Sequence, residues 1–230
     1  MRLESGARSH IGLNADRQNN EDSYLVRDER GLYAVADGLG GHAAGEVASA
    51  IAVGVVDRAM FDGPGVGSSL WWDEVFAAAH DTILREGRRS NNYGMGTTLT
   101  AAVVAGARLN VAHAGDSACF LVRAGHTFRL TERQSRGHRL DNCLGVSRWS
   151  FQGAQHAQIE LQVGDVIVLA SDGFTDYLPT TQQLTTLVRP TETAGMIAVQ
   201  LVAHALAGGG HDNVTVVCVK VVDSTTSVVE

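Results

Sequence analysis

The period of apolar positions changes several times along the chain, and each change predicts a change of element. The first forty residues read as short strands joined by polar turns. Within them, Asp22 to Val26 and Leu32 to Ala36 flank Arg27-Asp28-Glu29-Arg30-Gly31, a hairpin signature. After glycines at Gly38, Gly40 and Gly41, the spacing of Val47, Ile51 and Val55 predicts a helix from Ala43 to Met60, broken by Gly63-Pro64-Gly65. A second helix is predicted from about Ser69 to Arg88, with Trp72, Val75, Phe76, Ala79 and Ile83 on one face, a core stripe rather than a cofactor box.

From Thr97 to Thr131 the pattern becomes that of short strands: Thr98 to Ala105, Leu109 to Ala114, Cys119 to Arg123 and Thr127 to Leu130, punctuated by Gly106, Gly115 and Gly125. The first of these is apolar on both faces, which places it centrally in a covered sheet. Strands at Gln158 to Leu161 and Val166 to Ala170 precede helices near Thr181 to Val188 and Glu192 to Ala207. The latter is predicted to bury Met196, Val199, Ala203 and Leu206, and Val214 to Val222 forms the last strand. Hairpin-paired strands with two helices early and two late predict an α+β fold: a four-layer α-β-β-α sandwich of two mainly antiparallel sheets flanked by helices. The expected organisation is one domain over residues 1–222 and a flexible C-terminal tail over 223–230.

Composition narrows the function classes. Hydrophobic residues make up 44% of the 230 positions, ample for a core, and 19% charged residues with three prolines argue against long disordered stretches. A formal net charge of -7 speaks against general nucleic-acid binding, which relies on clustered Lys and Arg. Cys119, Cys143 and Cys218 have neither disulfide nor zinc-site spacing and read as reduced, buried thiols. No apolar run approaches the roughly 18 residues that would span a membrane, so a cytoplasmic location and no membrane partner are expected.

Acidic residues recur beside a glycine, an asparagine or another acid: Asn20-Glu21-Asp22, Asp37-Gly38, Gly115-Asp116-Ser117, Asp172-Gly173 and His211-Asp212-Asn213. Three follow strand-like runs, ending at Ala36, Ala114 and Ser171. One Asp-Gly pair is most often a turn. A carboxylate at a core edge, however, is costly unless paired or metal-bound, and carboxylates are hard oxygen ligands suited to Mg or Mn. Convergence on one metal centre explains the whole set together, where turns must be invoked one at a time.

These motifs resemble, in order, those of the metal-dependent PPM protein phosphatases of type 2C in their small bacterial form. The matching stretches are Gly12 to Asp22, Val35 to His42 with Gly45 to Ser49, Gly96-Thr97-Thr98, Ala114 to Ser117, Ala170 to Asp176 and His211 to Thr215. The resemblance implies a serine/threonine protein phosphatase in which a metal-bridging water attacks phosphoserine or phosphothreonine in line. Two Mn2+ or Mg2+ ions are implied: Asp37 bridges them, Asp172 and Asp212 complete one site, and Glu21 with the Gly38 carbonyl serves the other. Asp22 would act nearby and Arg17 would hold the substrate phosphate, while Asp116 and Asp176 match positions of a third, weaker ion. Phosphorylated proteins are the implied partners, among them a serine/threonine kinase and its substrates. Two different readings remain at this level, a phosphoprotein-binding pseudophosphatase and a phosphatase of small esters; no core acid has been lost.

Two features depart from the family pattern. Leu39 stands where many relatives carry a general-acid histidine, leaving His42 as a substitute candidate. After Leu130-Thr131, only Arg136 to Asp141 separate Ser135 from Asn142, so the flap beside the active site is expected to be largely absent and the centre open.

Overall fold

The computed structural model describes residues 1–39, 44–59, 65–137, 139–178 and 180–223. Two five-stranded sheets, antiparallel throughout, form its centre. One has the order β1 (Arg2–His10), β12 (Val214–Val222), β11 (Val166–Ala170), β6 (Ala118–Arg123), β7 (His126–Arg129). The other runs β10 (Gln155–Glu160), β5 (Arg108–Ala114), β4 (Leu99–Ala105), β3 (Leu32–Asp37), β2 (Asp22–Arg27). As the pattern predicts, β4 is the central strand of its sheet.

Strand alternation explains the layering, because successive side chains point to opposite faces. From β3, Tyr33 and Val35 face a core shared with Leu121, Ile167, Leu169 and Val217 of the other sheet. The alternate residues Leu32, Ala34 and Ala36 meet α1 (Gly45–Ala59) and α2 (Ser69–Ser90). The outer face of the first sheet, including Phe120, Val168 and Val216, packs on α3 (Asp172–Thr175), α4 (Thr181–Leu187) and α5 (Ala194–Ala207). Inner strands are therefore buried on both faces, the reason their sequences read as apolar runs rather than alternating ones.

The α2 stripe from Trp72 to Ile83 is buried as predicted. The α5 face is not: Met196 and Val199 are each 52% exposed, whereas Ile197, Ala198, Leu201, Val202 and Ala205 are buried. Because α5 is apolar nearly all round, its period does not select a face; close approach does. A Cβ on Gly6 of β1 would overlap the backbone of Gly195, so only small residues admit this contact. β1 itself carries no strand period and is held by nine register pairs to β12, from Arg2↔Val222 to His10↔Val214. The three cysteines are buried and free. Among the described residues no helix is long and apolar enough to cross a membrane. Most of the predicted tail lies outside the described residues.

Candidate active site

The predicted acids converge at one end of the sandwich, where strand ends from both sheets meet. Asp37 closes β3, and its backbone is locked from two sides: its N–H donates to Thr98 Oγ1 at 3.0 Å, and its carbonyl accepts from Thr98 N at 2.9 Å and Thr97 Oγ1 at 2.8 Å. This accounts for the adjacent threonines of the Gly96-Thr97-Thr98 motif. Asp22 is the register partner of Asp37, which places two carboxylates side by side at the end of a hairpin. Gly38 lies between the chain segments at Glu21 and Gly45; a Cβ there would overlap the Gly45 backbone and stand 2.7 Å from Glu21 O.

Asn213 ties the other sheet to this end. Its Oδ1 accepts from Glu21 N at 2.8 Å and Arg17 Nη1 at 3.5 Å, and its Nδ2 donates to Ile11 O at 2.8 Å. Ser171, at the end of β11, donates from Oγ to Asp22 Oδ2 at 2.9 Å and accepts from Thr215 N at 2.9 Å. Neither residue had a role assigned from sequence, although both flank the acids of their motifs.

A cavity of about 1250 Å³ results, lined by Glu21, Asp37, Gly38, Asp116, Asp172, Asp176, Asp212 and Arg17 among others. Of the predicted site residues that are described, only Asp22 is not part of the lining; it sits behind Asp37. His42, the substitute general-acid candidate, lies outside the described residues.

The site is short of positive charge. Burial, and then neighbouring carboxylates, push Asp37 well above the usual carboxylate range. Burial also pushes Asp22 up to about 6, against hydrogen bonds from Thr215 and Ser171, and Asp172 to about 7, with Asp116 adding to the effect. Asp212 and Asp116 are raised by burial as well, despite opposing arginines. Buried Asp22 Oδ1 and Asp172 Oδ1 receive no hydrogen bond among the described residues. Hard oxygen donors, raised affinities for protons and oxygens without donors together fit divalent cations, which would take the place of protons on these groups.

Among the described residues no three His, Cys, Asp or Glu side chains are already closed into a cage. Arg17 is one reason: Nη2 is 2.5 Å from Asp212 Oδ1 and Nη1 3.8 Å from Glu21 Oε2, so a cation on either acid competes with the guanidinium.

Two further groups were not legible in the sequence. Arg133 bridges the pair assigned to a third ion, with Nη1 2.9 Å from Asp176 Oδ1 and Nη2 3.8 Å from Asp116 Oδ2. His113 is fully buried in β5: Nδ1 pairs with Thr100 Oγ1 at 2.8 Å, while Nε2 lies 3.0 Å from both Gly115 O and Glu132 O. With two carbonyls facing Nε2, that nitrogen carries the proton. His113 thereby joins the turn presenting Asp116 to the segment presenting Arg133, and burial lowers it to about 4.

The short segment where a flap was expected to be largely absent is ordered and forms one wall of the cavity. Between β7 and β10 the chain forms a small hairpin, β8 (Ser135–Arg136) with β9 (Arg139–Leu140), and then a loop, and both line the cavity. Gln134 anchors this wall by accepting from Gly115 N at 3.0 Å and Asn142 Nδ2 at 2.9 Å. Gly145 N donates to His80 Nδ1 at 3.1 Å, and Leu144 pairs with Thr97. Side-chain anchors of this kind leave no periodic signal, so the count of residues from Arg136 to Asp141 did not show that the segment and the loop after it line the site.

Comparison with known proteins agrees with this geometry. A family model described as protein phosphatase 2C matches residues 8–208. The serine/threonine protein phosphatase PstP of Mycobacterium tuberculosis (strain ATCC 25618 / H37Rv) is 36% identical over 96% of this chain, which spans 45% of PstP's length. The serine/threonine phosphatase stp of Listeria monocytogenes serotype 4b (strain F2365) is 28% identical, covering 89% of this chain and 91% of that protein. A crystal structure of the M. tuberculosis PstP/Ppp superposes with a TM-score of 0.85 at 31% identity, covering 97% of this chain and 100% of that one. The PstP catalytic domain in complex with 2 manganese ions gives 0.83 at 34% identity, with 96% and 99% covered. With these motifs, this sandwich and this acidic cavity, the chain belongs to the protein phosphatase 2C family.

Proposed function

We propose that the chain is a Mn- or Mg-dependent phosphatase that hydrolyses phosphoserine and phosphothreonine in proteins. The carrying observation is the convergence of Glu21, Asp37, Asp172 and Asp212 on one cavity, backed by Asp22, with two buried carboxylate oxygens lacking donors. Asp37, Asp172 and Asp212 would hold one cation, and Glu21 with Asp37 and the Gly38 carbonyl the other. When bound, the pair would acidify water and neutralise charge on the phosphoryl group.

The remaining work falls to side chains of this chain. Arg17, which pairs with Asp212 and Glu21 here, would present a planar fork of donors to phosphate oxygens when those carboxylates hold cations. Asp22 accepts from Ser171 through one oxygen and keeps the other, without a donor among the described residues, beside Asp37, where it adds negative charge behind the cation ligands. A third, weaker ion between Asp116 and Asp176 would have to displace Arg133. By analogy with relatives named serine/threonine protein phosphatases, the substrates are phosphoproteins, among them a serine/threonine kinase and its targets.

The test is phosphate release from phosphothreonine peptides with Mn2+ and with EDTA, for the unaltered chain and Asp37→Ala. Turnover should require the metal and fall by a thousandfold or more, roughly 4 kcal/mol at 1.36 per decade, in the variant. Metal-independent turnover, or an Asp37→Ala chain near full activity at saturating Mn2+, refutes the reading.

A further inference from the structure

The hairpin that walls the cavity has an arrangement that the hydrolysis itself does not require. Arg136 and Arg139 are direct register partners across β8 and β9, so their side chains leave the ribbon on the same face. Like charges directly opposite one another destabilise a strand pair, and a two-residue ribbon has little pairing energy to offset that. Both arginines are exposed and both line the cavity.

The charge on this wall is the least neutralised of any in the cavity. Arg17 and Arg133 are each held by two carboxylates. Arg136 has one partner, Asp141 at 3.1 Å, in a pair whose side chains are 88% and 43% exposed, a setting in which ion pairs contribute little. Arg139 makes no ion pair among the described residues. Trp149 lines the same cavity, 74% exposed, with the Arg148 guanidinium 4.7 Å from its ring centroid. A large aromatic in water next to basic groups is a common anchor for an extended peptide.

Resting on the phosphatase reading above, we propose that this wall selects the substrate: Arg136 and Arg139 are specificity-determining residues that bind acidic side chains flanking the phosphorylated residue, with Trp149 as the apolar contact. The floor and the wall then divide the work. The acidic floor with its cations takes the phosphate, while the basic wall takes the neighbouring carboxylates. Basic flanks would meet like charge on the wall, so discrimination has a repulsive part as well as an attractive one. Screening should weaken both parts, since the arginines are exposed.

The experiment uses the full chain with Mn2+ and three phosphothreonine peptides of equal length, flanked by Glu, Ala or Lys, at low and high NaCl. We expect kcat/KM in the order Glu, Ala, Lys, at least tenfold between the extremes at low salt and narrowing at high salt. In Arg136→Glu/Arg139→Glu the order should invert, and in Arg136→Gln/Arg139→Gln the three rates should converge. Each comparison is a ratio within one protein, so a partly unfolded fraction does not alter it. Glu and Lys peptides turned over within twofold of each other by the unaltered chain overturn the proposal, as does a preference that survives both double substitutions. If the unaltered chain turns over none of the peptides and no p-nitrophenyl phosphate, the phosphatase reading has failed. Calorimetric binding of the same peptides to the Mn-loaded chain then decides this proposal: tighter binding of the Glu peptide sustains it, and equal affinities sink it.

Discussion

Asp172→Asn tests the electrostatic account of the site through stability rather than turnover. Asp172 titrates at about 7 in the folded chain, against an ordinary value of 3.8, chiefly because it is buried and then because of Asp116. Between those two values the folded carboxyl is protonated and the unfolded one ionised, so the folded state holds the extra proton. Stability therefore falls as pH rises, by up to 1.36 kcal/mol per pH unit and by half that at pH 7, or about 2 kcal/mol from pH 5 to 7. The loss levels off about one unit above pH 7, once both states are ionised. His113 works in the opposite direction: burial lowers it to about 4, so stability rises as the unfolded imidazole loses its proton. Asp22 and Asp37, raised by burial as well, act in the same direction as Asp172, so the difference between two proteins that share His113 reports Asp172 together with the charge it places on Asp37.

Urea denaturation in EDTA at pH 5 and pH 7, for the unaltered chain and Asp172→Asn, supplies that difference. The variant should gain about 2 kcal/mol on the unaltered chain between the two pH values, while losing phosphatase activity. Mn2+ at pH 7 should then raise the unaltered chain's midpoint and shift the variant's far less, because a cation binds only the folded acid cluster. A stability difference that changes by less than about 1 kcal/mol between pH 5 and 7, or equal stabilisation of both proteins by Mn2+, refutes the reasoning.

Arg17→Ala should raise KM for a phosphothreonine peptide by about tenfold or more, the loss of a charge-assisted contact, with a smaller change in Mn2+ affinity; an unchanged KM removes Arg17 from phosphate binding. Arg133→Ala leaves Asp116 and Asp176 without their shared guanidinium, so a calorimetric Mn2+ titration should reveal weak binding at lower metal concentration than in the unaltered chain, and superimposable isotherms would count against the competition. Gly145→Ala should cost about 2 to 4 kcal/mol, since φ there is +93° and a Cβ would overlap Ile83 and stand 2.7 Å from Met95 O. A melting midpoint within about 2 °C of the unaltered chain would show that the cavity wall does not depend on this anchor.

What the sequence by itself determined is what local pattern encodes. Runs buried on both faces and bounded by glycine marked the inner strands, the stripe from Trp72 to Ile83 marked the buried face of α2, and acids at strand ends marked the floor of the site. In each case the constraint acts on residues near one another in the chain. Tertiary structure decided the rest. β1 is a strand because β12 pairs with it along its whole length, not because of its own composition. α5 is apolar nearly all round, and the contact between Gly6 and Gly195 chose its buried face. Register set Asp22 beside Asp37, and fold placed Arg133 between Asp116 and Asp176, which lie far apart in sequence. The cavity wall is held by Gln134, Asn142 and His80, single side chains whose hydrogen bonds have no period for a sequence to display. A carboxylate's type and its place at a strand end are local facts; which charge it faces is set by contacts between distant segments.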